Sequence, residues 1–180
     1  MPGSLSGLRV VELSRFRAAA MLGMVLADHG AEVVRVPLPA PPLDAAPMWL
    51  RGRIRVELDL QVDADQRALQ RLVDAADVVI DDLPGDVWRP ALPASVIVVR
   101  LPLLPDQPDI AGFGELAAAF SGLYATPTGI GPQFTTLAVA GWVSALYAAV
   151  GVCAALLARK RDGRGLSLIH ISEPTRRYEI

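Results

Sequence analysis

Residues 8–36 read LRVVELSRFRAAAMLGMVLADHGAEVVRV, a short β-branched run, an alanine-rich run and a second β-branched run. The first, residues 8–13, has the composition of a strand. After Ser14 the pattern changes to that of a helix ending at His29 and Gly30, with Leu22, Val25 and Leu26 on one face. Ser14 is placed to cap this helix, and Gly30 suits the left-handed position just past its end. Residues 31–36 read as a second strand. A strand, a helix and a strand in this order predict two parallel strands joined by a right-handed crossover.

The same alternation continues downstream. After a proline-rich stretch at residues 37–47, residues 54–60 alternate charged and apolar side chains, as a strand with one wet face does. A helix follows, capped by Asp63 or Asp65, with a stripe of Leu69, Leu72, Val73 and Ala76. It runs into a strand at residues 77–80. A turn at Pro84 and Gly85 leads to the apolar run SVIVV at residues 95–99, suited to a sheet covered on both faces. Residues 113–124 form a further apolar helix. The expected class is therefore α/β, a Rossmann-like, mostly parallel sheet flanked by helices.

Residues 134–165, FTTLAVAGWVSALYAAVGVCAALLARKRDGRG, carry no charge until Arg159, Lys160 and Arg161, which predicts a long apolar C-terminal helix. A bilayer core requires roughly 20 apolar residues, so the run is formally long enough to cross one. Its many small residues, and an upstream sheet that needs a packing partner, favour a buried helix. The lone Cys153 then reads as a small core residue. Residues 166–180, LSLIHISEPTRRYEI, share neither the alanine-rich usage nor the periodicity of the preceding chain, and residues 166–176 resemble the translation of a sequencing adapter. We expect a domain over residues 1–165 and a non-native tail over 166–180.

At 180 residues and a net charge of −2, the totals fit one domain with a sizeable core and imply neither nucleic acid nor an anionic membrane surface as partner. Arg9, Glu12, Arg15 and Arg17 interrupt the first twenty residues, so no leader peptide is expected, and the expected location is cytoplasmic. There is no GxGxxG, GxSxG, P-loop or metal-ligand spacing. Arg15 and Arg17 stand near a helix start, where a phosphate can be held. Asp28 with His29, Asp81 with Asp82, and Glu115 are the remaining candidates for proton transfer, His29 reading more simply as a partner of its helix end.

LSGLRVVELSRFRAAAMLGMVLADHGAEVVRV, RGRIRVELDL, ADVVIDDLPGDVWR and LYAAVGVCAALLARKRDGRG together resemble the class III CoA-transferases, which include formyl-CoA and carnitine CoA-transferases and 2-methylacyl-CoA racemases. The resemblance covers most of residues 5–165. It implies a soluble protein about twice this length, of which this chain is the N-terminal part, and CoA or acyl-CoA as ligand with no covalently bound cofactor. Family members form interlocked homodimers, which a truncated chain is not expected to form. The positions that match the family's CoA contacts are Arg17 and Ala18, then Leu58, Asp59 and Leu60, then Asp82, Leu83 and Arg89. A glutamate and a basic residue after the second strand have become Pro37 and Leu38, and the turn before Arg89 has lost one residue and its asparagine.

The resemblance also implies a catalytic aspartate five residues before the LYAA run, where its carboxylate attacks the acyl thioester. Here that position is Gly141. The histidine of the racemase branch aligns with Phe113. The expectation is a CoA-transferase homologue lacking the usual nucleophile. A noncatalytic CoA-binding or scaffold half of a tandem fusion is the alternative, and a single-span membrane protein a third.

Overall fold

A computed structural model describes residues 3–38, 47–83, 87–101, 114–124 and 138–169. Six strands form one parallel sheet: β1 (Arg9–Ser14), β2 (Glu32–Pro37), β3 (Arg53–Arg55), β4 (Val78–Asp81), β5 (Ile97–Arg100) and β6 (Ser167–Ile169). They are arranged in the order β3-β2-β1-β4-β5-β6, with every neighbouring pair parallel. The helices are α1 (Arg17–Asp28), α2 (Asp63–Asp74), α3 (Gly114–Phe120) and α4 (Val139–Asp162). The chain reverses its direction of travel across the sheet between β1 and β4, and a doubly wound sheet of this order opens a crevice at that point.

The two faces of the sheet have different cores. Val10, Val33, Val78, Ile80, Ile97 and Val99 pack against α1 and α4, while Val11, Leu13, Val36, Val79 and Val98 pack against Leu69 and Val73 of α2. Both faces of β4 and β5 are thus covered, which explains why these strands lack alternation. Alanine and glycine bring α1 and α4 close together: Gly141, Ala145, Ala148, Val152 and Ala155 make up the buried seam of α4. At the start of α4, Trp142 meets Trp49 edge to face, with ring centroids 5.5 Å apart. Gly163 ends α4 in the left-handed conformation, φ 69°, at the basic turn read from the sequence.

Several local expectations are corrected. Ser14 does not cap α1: Phe16 is the N-cap, without a side-chain hydrogen bond, and the Ser14 hydroxyl instead donates to Glu12 at 2.5 Å. Neither Asp63 nor Asp65 caps α2, which starts after Val62, and Asp65 accepts from the Asp59 amide at 2.8 Å. The strand expected over residues 54–60 shortens to Arg53–Arg55, because Asp59 turns the chain by accepting from the Gln61 amide. Cys153 is exposed, since the seam at Val152 and Ala155 leaves it on the outer side of α4. His29, as expected, closes α1, its Nδ1 lying 2.8 Å from the Val25 carbonyl, and Gly30 follows at φ 96°.

Residues 167–169 lie within the stretch expected to be a non-native tail, and they pair in parallel with β5, Leu168 beside Val99. A strand edge accepts any extended backbone of compatible register, and the sheet gains its sixth strand there. The turn at Pro84 and Gly85, Phe113 and most of the proline-rich stretch lie outside the described residues.

Candidate functional site

Parallel strands bring their carboxyl ends to one edge, where Ser14, Asp81 and Arg100 end β1, β4 and β5. Asp82 follows β4 and faces the turn between β1 and α1. Its amide donates to the Leu13 carbonyl at 2.9 Å, and its Oδ2 accepts from the amides of Arg15 and Phe16 at 3.2 and 3.0 Å. The positive end of α1 is thus served by a carboxylate of the chain itself. Burial pushes the Asp82 carboxyl up to about 6, against the opposing pull of the two amides and of Arg15. Arg15 lies over the Phe16 ring, 4.9 Å from its centroid. Arg17 opens α1 and Ala18 follows, both half-buried.

Asp81 forms the second part of the site. Its side chain is only 6% exposed, while those of its partners Arg89 and Arg100 are 38% and 37% exposed. Arg89 Nη1 donates to both carboxylate oxygens, at 2.8 and 2.6 Å, and Arg100 Nε donates to Oδ2 at 2.9 Å. Arg89 Nη2 also donates to the Leu83 carbonyl at 2.6 Å. The two guanidinium groups share one carboxylate and are partly open to solvent, beside a small pocket lined by Leu13, Val79, Leu83 and Leu92. Such a pair fits a phosphate or carboxylate group.

The third segment lies past the end of β3. Leu58 is half-buried, Asp59 exposed and Leu60 buried, and both leucines join Leu13 and Leu83 in the core on the α2 side. The eight sequence-derived positions therefore sit in three places along the carboxyl edge: Arg17 with Ala18 at the turn that Asp82 holds, Leu83 with Arg89 on Asp81, and residues 58–60 beneath. Pro37 ends β2 on the same edge, and Leu38 just after it is buried in the same core.

Gly141 lies on the buried seam of α4, against Met21 of α1. A Cβ built there would meet Met21 Sδ at 3.5 Å and Ala138 Cβ at 3.9 Å.

Two features escaped the sequence reading. Arg100 follows an apolar strand, and its sign was a charge at the carboxyl end of a buried run. Glu12 is fully buried, holding Arg35 at 2.8 Å and Arg53 in a closer contact. Its sign was a carboxylate inside VVEL, more enclosed than Asp28, Asp81 or Asp82.

A family model described as CoA-transferase family III matches residues 5–91 and 105–173. The chain belongs to CoA-transferase family III. Over 200 residues it is 30% identical to the succinyl-CoA--D-citramalate CoA-transferase of Chloroflexus aurantiacus, covering 91% of this chain and 48% of that protein. It is 29% identical over 177 residues to the human alpha-methylacyl-CoA racemase, covering 90% and 46%. Among solved structures, the Mycobacterium tuberculosis protein Rv3272 superposes with a TM-score of 0.78 at 26% identity, covering 93% of this chain and 53% of that one. This family III chain thus spans about half the length of the relatives it matches.

Proposed function

We propose that this chain binds CoA or an acyl-CoA at the carboxyl edge of its sheet and lacks the acyl-transfer chemistry of active family members. Membership of the family, with the arginine pair on Asp81, supports the binding half of this reading. Arg89 and Arg100 offer charge-assisted hydrogen bonds to phosphate oxygens. Leu58, Leu60 and Leu83 supply an apolar floor, and Arg17 and Ala18 border the turn. Because Asp82 already uses the amides of Arg15 and Phe16, phosphate recognition falls to side chains more than to the helix end.

The single observation that carries the loss of chemistry is Gly141. In the transferases that this sequence resembles, a carboxylate oxygen attacks the thioester carbonyl, the carbon–sulfur bond breaks and the CoA thiolate leaves. At the matching position this chain has no side chain, and a Cβ there would come into ordinary contact with Met21 Sδ at 3.5 Å.

Titration calorimetry with CoA tests the binding reading. Wild-type protein is expected to bind, and Arg89→Ala to bind about tenfold or more weakly, the worth of a charge-assisted contact. Absence of binding by folded wild-type protein would remove the reading. An acyl-transfer assay with succinyl-CoA tests the other half, for which no turnover is expected.

A further inference from the structure

The turn between β1 and α1 has the donors of an anion site, and the chain fills it with a carboxylate of its own. α1 starts without a side-chain cap, and the amides just ahead of it, those of Arg15 and Phe16, both donate to Asp82 Oδ2. Helix starts of this kind hold phosphates by the same amides. One donor at the turn is left over: Arg15 Nε is enclosed and makes no hydrogen bond. An enclosed donor without an acceptor is costly, and it asks for a partner that the described residues do not supply. Asp82 therefore occupies the turn without completing it.

We propose, resting on the reading that CoA binds at this edge, that Asp82 is a built-in rival of the ligand's phosphate at the β1–α1 turn: ionised it keeps the turn for itself, and protonated it gives way. Burial pushes its carboxyl up to about 6, above the ordinary carboxylate range. Against burial work the two amides and, from the turn, the Arg15 guanidinium, while Asp81 at the end of β4 adds to the upward push. Arg89 and Arg100 are both bound to Asp81. An approaching anion favours the neutral form of Asp82 still more, so ligand binding and proton uptake are linked, each promoting the other. Arg89 and Arg100 attract phosphate throughout this range, and the charge on Asp82 sets how much the turn adds to their hold.

The test is titration calorimetry of the full chain with CoA between pH 5 and 7.5, comparing wild type with Asp82→Asn, which keeps an acceptor for the two amides and removes the charge. At pH 7.5 the variant is expected to bind CoA about tenfold more tightly, the effect of one nearby like charge on a partly exposed phosphate, and the gap should close by pH 5. Near pH 6, titrations in buffers of different ionisation heat should show wild type taking up about half a proton more than the variant. The phosphates of CoA titrate in the same range, but equally for both proteins, so the difference belongs to Asp82. Equal affinities at every pH would overturn the rivalry and leave the CoA reading standing, as would a gap that persists unchanged at pH 5. Weaker binding by the variant throughout would make Asp82 a ligand contact instead of a rival. Absence of CoA binding by both folded proteins would remove the reading and this inference with it.

Discussion

Gly23 of α1 lies directly over the carboxylate of Glu12 in β1, so close that a Cβ on Gly23 would collide with Glu12 Oε2. The carboxylate has nowhere to retreat, since Ser14, Arg35 and Arg53 all hold it. A buried charge with several partners is costly to disturb, because displacement leaves those partners unmatched. Glycine at this point in the helix therefore reflects an ion cluster on the strand beneath.

Gly23→Ala is expected to destabilise the fold by about 2–4 kcal/mol, combining overpacking with loss of the cluster's geometry. Gly151→Ala in α4 makes the contrast. There the added Cβ meets only the Leu168 Cδ1 methyl at 3.4 Å, so the gain in helix propensity, about 0.5–1 kcal/mol, should dominate. Chemical denaturation of the two variants checks the opposite signs. A Gly23→Ala midpoint equal to wild type would mean that Glu12 is free to move.

Asp82 should make stability depend on pH. Its folded carboxyl, pushed up to about 6, lies above the ordinary value of 3.8, so between these values the native state binds more protons than the unfolded chain. Stability then falls as pH rises from about 4 through 6 and levels off above. Asp82→Asn keeps an oxygen for the amides of Arg15 and Phe16 and removes the buried charge. It should be more stable than wild type by about 1–3 kcal/mol at pH 7.5, with the difference gone near pH 4. Urea unfolding at the two pH values measures this, and an equal difference at both would contradict the assignment.

Gly141→Asp should not restore acyl transfer. The new carboxylate would start on the seam beside Met21, among apolar groups that do not solvate it, and the substitution is expected to cost about 2–4 kcal/mol of stability. Thermal denaturation reads the cost and a succinyl-CoA assay reads the turnover. A stable, active variant would show that this position reaches the site.

Strand and helix alternation made most of the fold legible, because each element carries its own period: apolar runs in β4 and β5, and a 3.6-residue stripe in α2. Capping was less legible. Ser14 had the right chemistry for an N-cap, but a buried glutamate two residues earlier claimed its hydroxyl, a contact that no local pattern reports. Cys153 was placed on the wrong side of α4 because a helix apolar all round gives no sequence cue to which face is enclosed. The arginine pair on Asp81 was half visible. Arg89 stood in a matched motif, whereas Arg100 is brought to it by sheet order alone.

The sheet order also governs assembly in time. Val10 pairs with Val33 on one side and Val78 on the other, so β1 keeps one edge open while β2 and β3 are made. A nascent chain that has completed β2 still presents an open, β-branched ribbon until β4 arrives. That interval invites pairing between neighbouring chains on a polysome, and it makes the helical stretch 63–74, with its charged outer surface, a spacer whose rate of translation sets how long the ribbon stays open.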